Sequence, residues 1–391
     1  MKHSRLNFSI LTFICVLLFS CSANKISVRH ISMIDDDNEA LPGLFYALPQ
    51  TVITIDVTVS KTDNIRGPYH KYAQKYLGLT NVIQQNSSQY SINNIEISSY
   101  VEPDPDHYYH ISFPRKLSKN QKILISLSKT GLLKAINDKT EWTEVKAQDY
   151  TFTGKEATIS SETFNYLVDA NIFERIDTII ERIHLDTVTI EKRTLQKSFV
   201  EKDKEQRAKE VSEYILKINE KKLDIISGYA EVPYEKSSIA YMYEELEKLE
   251  NEYLSLFTGV SSTKSNTYRF IYLPKPDEVG QPIHLFNFSE TEGILDPFVH
   301  KGDEFFLVAT QKGTTIPLQK LLLNRPKPNT TGIYYRIPEY GTVSLVSRNK
   351  TKAEAHIIIN QFGVVNQLNP DNMQLLFFPN SGSIKTIGIE K

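Results

Sequence analysis

IAYMYEELEKLENEYLSLFTG occupies residues 239–259. Its apolar positions Ile239, Met242, Leu246, Leu249, Tyr253 and Leu256 recur at spacings of three and four, which lays them along one face of a helix. Phe257-Thr258-Gly259 closes the pattern with a residue suited to a helix stop. Upstream, Val211, Tyr214, Ile215, Ile218, Ile225 and Ile226 line a second helical face that ends at Gly228. The run Glu201 to Glu210 before it is almost wholly charged and reads as a solvated helix face. A connection of about ten residues containing Pro233 separates the two stripes, so they read as an antiparallel helical hairpin whose seam is satisfied within the chain.

The flanks carry a different period. Ile53, Ile55, Val57 and Val59 alternate with Thr54, Asp56, Thr58 and Ser60, the pattern of a half-buried strand. Gly67-Pro68 opens a short helix with Tyr69, Tyr72, Ala73, Tyr76 and Leu77 on one face and Gly78 as its stop. Strands resume at Ile95–Tyr100, Tyr108–Phe113 and Lys122–Ser128, with Pro103 and Pro105 breaking the first two apart. Beyond the helices, Tyr268, Phe270 and Tyr272 alternate, and Phe305–Ala309, His356–Ile359, Gly363–Val365 and Leu375–Phe378 are short apolar runs. Gly332–Ile337 and Thr342–Val346 flank Pro338-Glu339-Tyr340-Gly341, which reads as a hairpin turn. The expected class is therefore α+β: two β-rich, sandwich- or barrel-like regions with an antiparallel helical hairpin between them. The expected divisions are 1–20, a signal segment; 21–40, a tether; 41–165, an N-terminal β-rich domain with one short helix; 166–262, a charged connector and the hairpin; and 263–391, a C-terminal β-rich domain. Residues 166–200 mix β-branched and charged types and fit neither period cleanly. Separate cores and one shared core are both compatible with this layout.

Composition narrows the function classes. Lys plus Arg total 45 against 47 Asp plus Glu, a balance that excludes a protein built to grip nucleic-acid phosphates. The aromatic set is skewed to 21 Tyr and 19 Phe with one Trp, which suits pleated, half-buried surfaces.

The first twenty residues begin with Lys2, His3 and Arg5 and continue into an apolar stretch from Phe8 to Phe19. That stretch is short for a span of about 20 residues and has the length of a signal-peptide core. It ends in Leu18-Phe19-Ser20-Cys21, which resembles the lipobox of bacterial lipoproteins. The resemblance implies that Cys21 is acylated and becomes the mature N-terminus, giving the protein a lipid tie to the membrane. Ser22 after the cysteine implies, by the same likeness, the outer membrane, with the periplasmic face expected. Cys15 and Cys21 are the two cysteines, so the mature chain would have no free thiol for a disulfide, a metal or a nucleophile.

The motif search for chemistry returns little. There is no Walker loop, dinucleotide glycine fingerprint, paired-His zinc helix or nucleophile elbow, and no cofactor is expected. One local cluster stands out: Glu102, Asp104, Asp106, His107 and His110 within nine residues. Carboxylates and imidazoles are the groups of divalent-metal sites and of acid–base pairs. On a continuous strand, however, His107 and His110 would face opposite ways. A proline-stiffened acidic turn leading into a strand is the favoured reading, and no bound metal is expected. His284 is expected in a core or interface beside Phe286 and Phe288, and His356 towards solvent. Asp177-Thr178-Ile179 and Asp186-Thr187-Val188 each resemble the acceptor tripeptide of periplasmic O-glycosylation in the Bacteroidetes, which would modify Thr178 and Thr187.

Several blocks together are similar to an uncharacterised lipoprotein family of the Bacteroidales known as domain of unknown function 4831. They are GLFYALPQTVITIDVTVSKT from Gly43, GPYHKYAQKYLGL from Gly67, EISSYVEPDPDHYYHISF from Glu96, YMYEELEKLENEYLSLFTG from Tyr241, GIYYRIPEYGTVSL from Gly332 and QFGVVNQL from Gln361. The resemblance implies an exported, lipid-anchored protein and carries no catalytic residues. The expected function is a non-enzymatic binding or scaffold lipoprotein of the cell envelope, partnered with the membrane through its lipid and with an outer-membrane protein or envelope complex. The alternative is a periplasmic hydrolase acting on glycan or peptide, with Glu102 to His110 as its site.

Overall fold

The structure is a computed structural model that describes residues 27–34, 42–113, 124–138, 164, 172–185, 188–227, 236–324, 332–369, 373–378 and 381–389. The segment expected as a signal, Cys21, much of the expected tether and Thr187 lie outside these residues, while Ser27–His30 of that expected tether is a paired strand with Val28 in the core. In chain order the strands are β1 (Ser27–His30), β2 (Leu44–Ile65), β3 (Ser87–Ser112), β4 (Ile125–Leu127), β5 (Leu133–Ile136), β6 (Ile172–Leu185), β7 (Val188–Glu201), β8 (Val260–Tyr272), β9 (Pro282–Ser289), β10 (Gly293–Leu295), β11 (Asp303–Gln311), β12 (Ile333–Ser347), β13 (Lys350–Leu368), β14 (Met373–Phe377) and β15 (Ile384–Ile389). The helices are α1 (Ala73–Leu77), α2 (Lys204–Ser227), α3 (Lys236–Thr258) and α4 (Ile316–Leu323). The class is α+β, as the alternating periods require. Among the described residues no helix is long and apolar enough to cross a membrane.

Among the described residues four sheets form, with strand orders β1-β3-β2-β8, β10-β9-β11-β12-β13, β15-β14-β5-β4 and the two-stranded β6-β7. The chain divides into two compact units: Met1–Val59, Ile92–Thr153 and Thr267–Lys391 make the first, Ser60–Ser91 and Gly154–Asn266 the second. In the first unit the N- and C-terminal β-rich stretches share one core. Val28, Tyr46, Leu48, Tyr109, Ile111, Leu133 and Ile136 pack with Ile333, Leu375 and Phe377, and β5 pairs with β14 through Ile136↔Leu375 and Ala135↔Leu376. A buried Leu or Ile contributes about 1.5–3 kcal/mol, so this shared cluster accounts for much of what holds the unit together. Tyr109 stacks on Tyr334 at 4.4 Å between ring centroids and on Tyr46 at 5.5 Å. The Tyr46 hydroxyl accepts from the Tyr334 amide at 2.9 Å and donates to the Tyr334 carbonyl at 3.3 Å, so a buried phenol is satisfied by backbone.

The second unit contains the helical hairpin. Ala208, Val211, Ile215 and Ile218 of α2 pack with Tyr253, Leu256 and Phe257 of α3, and Tyr69 and Ala73 of the short-helix segment join them. Tyr214 meets Tyr253 edge-on at 5.1 Å, and Lys222 bonds Glu250 at 2.7 Å, contacts that run in opposite senses along the two helices. The seam is uneven. Tyr253 and Leu256 are buried and Leu246 and Leu249 are partly buried against the same cluster, whereas Ile226 is left 66% exposed near the end of α2. Gly67 lies so close to α3 that a Cβ there would stand 2.2 Å from the Leu256 carbonyl oxygen.

Three sequence expectations change. Pro103 and Pro105 do not break a strand: β3 runs unbroken from Ser87 to Ser112. Proline lacks the N–H that a ladder needs, and on the β1 side of β3 none is needed there, since β1 pairs with Tyr109–Ser112 and both prolines lie beyond that pairing. Pro338-Glu339-Tyr340-Gly341 is not a turn either. β12 continues through it, with its register against β13 shifting between Ile337 and Glu339, as a bulge at a proline does. The true hairpin turn is Arg348-Asn349, with φ of 50° and 58°, two left-handed residues between the paired Ser347 and Lys350. Finally, the ambiguous connector contains a regular antiparallel hairpin, β6 with β7, registered from Ile172↔Glu201 to Leu185↔Val188.

Candidate functional site

The acidic–imidazole segment sits on β3 in the first unit, and its members scatter rather than converge. Glu102 accepts from Gln50 Nε2 on β2 at 2.9 Å. Asp104 is buried, and its Oδ1 accepts the Asp106 amide at 3.0 Å, a local turn of the kind Asp favours. That local bend lets His107, three residues on, place Nδ1 2.9 Å from Asp104 Oδ2. Asp106 contributes its carbonyl, which accepts from His30 Nε2 at 2.8 Å. His110 does not meet His107. It lies in β3 opposite Arg29, buried to 2% exposure beneath Phe45, whose ring is 4.7 Å away. The opposite facing of the two histidines holds, although the strand itself is irregular at Asp104–Asp106.

The residue that organises the segment is Arg336 of β12, which carried no signal in the sequence. It is 4% exposed. Its Nη2 donates to Asp104 Oδ2 at 2.8 Å and its Nη1 to the Pro49 carbonyl at 2.7 Å. Burial alone would raise the Asp104 carboxyl, but the His107 hydrogen bond and the charge and hydrogen bond of Arg336 outweigh it and hold it at about 2. For His110, burial first and the positive charge of Arg29 second lower the imidazole below its ordinary value. Its Nε2 makes no hydrogen bond to a described protein group.

A second buried carboxylate, missed because Glu339 was read as part of a turn, lies on the β12 bulge. It accepts from the Thr315 amide and hydroxyl at 2.7 Å each, from the Tyr340 amide at 2.9 Å and from the Thr314 hydroxyl at 2.5 Å. Burial raises it, and the donors from Thr314, Thr315 and Tyr340 bring it down to about 2. Gly363 allows the bulge: a Cβ there would meet the Ile337 carbonyl oxygen at 2.0 Å.

Among the described residues no three His, Cys, Asp or Glu side chains gather in a way that could hold a metal ion. Thr178 lies within β6. His284 stacks on Phe306 at 4.8 Å and bonds Asn287 through Nε2 at 2.7 Å. His356 is exposed and meets the Thr342 hydroxyl at 3.0 Å.

With this geometry in hand, comparison with known proteins gives one match. A family model described as "Domain of unknown function (DUF4831)" covers residues 42–171 and 176–385. Nothing matches among curated proteins or among solved structures.

Proposed function

We propose, for a chain that belongs to the family described as domain of unknown function (DUF4831), a non-enzymatic binding or scaffold role in the bacterial cell envelope, with the protein tied to the membrane by a lipid on Cys21. The observation that carries the first half is the state of the carboxylates. Hydrolysis by paired acids needs one carboxyl whose proton is retained near neutral pH, which means a raised value. Asp104 and Glu339 are both pulled the other way, to about 2, and their oxygens are engaged by Arg336, His107, Thr314 and Thr315. These two carboxylates read as framework rather than as an acid–base pair.

The second half rests on the sequence alone, through the apolar segment Phe8–Phe19 and the Ser20-Cys21 pair. The outer membrane, its periplasmic face, and modification of Thr178 and Thr187 belong to the same proposal. Capture from detergent-solubilised envelopes tests the role: a stoichiometric envelope partner is expected, and turnover of cell-wall or glycan substrates by the purified chain would sink it. Intact-mass analysis tests the anchor. An acylated N-terminus at Cys21 is expected, lost in Cys21→Ala; an unmodified N-terminus elsewhere overturns it.

A further inference from the structure

Apart from the carboxylate framework, the first unit has a cavity of about 400 Å³ bordered by Asn287, Lys301, Asp303, Glu304, Ser347 and Arg348, with Phe306 and Val346 as its apolar part. That volume lies in the usual range of small-molecule sites, about 300–1,000 Å³. We propose that this cavity binds a short neutral saccharide; the proposal deepens the binding role above and rests on it.

Both cations around the cavity are already paired, and Glu304 is the one carboxylate left over. Arg348 Nε donates to Asp303 Oδ1 at 2.6 Å, and Lys301 Nζ pairs with Glu292 at 3.0 Å. A wall of this kind has no positive field with which to draw in a polyanion. It does offer donors and acceptors together: the Asn349 amide, the Glu304 carboxylate and the Ser347 hydroxyl. Ser347 is 1% exposed, and its Oγ has no hydrogen bond to a described protein group, which a buried hydroxyl seldom tolerates without a partner. A neutral polyol supplies hydroxyls of both senses on its edges and C–H groups on its faces, and so matches both the polar wall and the apolar part.

The loop beside the cavity adds an aromatic. Phe298 is 89% exposed, yet its backbone is pinned. Its amide donates to Asp296 Oδ1 at 2.9 Å, and buried Asn287 donates through Nδ2 to the Val299 carbonyl at 2.6 Å. Gly302 seats the loop against β9, where a Cβ would stand 2.1 Å from the Phe288 carbonyl oxygen. His300, Lys301 and Gly302, which follow in the same loop, line the cavity, and a large apolar ring held out on so ordered a loop is suited to meet a ligand.

The test uses the full chain on a printed array of neutral, sialylated and sulfated oligosaccharides, followed by calorimetric titration of the strongest neutral one. Binding of neutral saccharides is expected, weakened at least tenfold in the double variant Phe298→Ala/Glu304→Ala with an unchanged Tm, since both side chains are exposed. No retention, retention of charged glycans alone, or a smaller loss in the variant overturns the site. An envelope partner captured while the array is blank leaves the broader role standing without this site. Cleavage of the titrated saccharide would remove the non-enzymatic role and keep the site.

Discussion

Asp104 and Glu339 are both buried carboxylates held at about 2, and they are held by opposite means. Asp104 is answered by a full positive charge, Arg336, that arrives from 232 residues away in sequence. Among the described residues no cation pairs with Glu339; two threonines and its own neighbour surround it with neutral donors from within 25 residues. The comparison separates two ways of keeping an ion in a low dielectric. A charge partner compensates a charge with a charge, so losing it strands an ion. A cage of dipoles spreads the compensation over several bonds, so losing one leaves the rest.

The largest effect should follow from Arg336→Met, which takes away the buried guanidinium and leaves Asp104 only His107 and the Asp106 amide. We expect a loss of about 3–5 kcal/mol in urea unfolding near pH 7, with much of it recovered in Arg336→Met/Asp104→Leu. A cost below about 1 kcal/mol would erase the distinction between the two sites. Glu339→Gln comes next. It keeps the shape but offers one acceptor oxygen where two oxygens take four bonds, and should cost about 1–3 kcal/mol.

The acid limb sharpens the same contrast. Both carboxyls lie below their ordinary values of 3.8 and 4.5, so the unfolded chain takes up protons first as pH falls. The stability they contribute is complete above about 4.5 and drains away towards about 2. Acid titration of Glu339→Gln should therefore show a shallower loss over that interval than the wild type; an identical slope would mean that the cage does not stabilise the charge. Thr315→Val removes one hydroxyl donor and leaves the amide, for about 0.5–1.5 kcal/mol.

The smallest effect concerns His110, a buried base with no charge partner at all. Its value is lowered by burial and by Arg29, so the unfolded state protonates first below about 6.5 and stability should fall as pH drops from 7.5 towards 5.5. In His110→Gln the difference in Tm between those two pH values should shrink; an unchanged difference would show that His110 does not titrate in this range.

Residues whose fate is decided locally were legible. The stripes of α2 and α3 and the stop at Gly78, with φ of 68°, follow from helical period and glycine alone. So did the facing of His107 and His110, because strand parity is a property of a few consecutive residues. Arg336 was not legible: nothing near it in sequence distinguishes it from a surface arginine, and its partner exists only after β12 and β3 are brought into one core. Proline misled twice for one reason. Pro103 and Pro105 lie where β3 has no described partner in β1, and Pro338 lies at a register shift, so in neither place does the proline end its strand. The turn at Arg348-Asn349 was overlooked because its left-handed residues include no glycine.

The pairing of β5 with β14 also has a consequence for the order of events in making the protein. Ile136 leaves the ribosome long before its partner Leu375, and Tyr46 waits for Tyr334, 288 residues later. The second unit is complete once Asn266 has been made, whereas the core of the first cannot close until Leu375 and Phe377 have been made. Contacts this distant in sequence slow closure and leave strand edges open meanwhile. The first unit thus gains its shared core only after the second has been made.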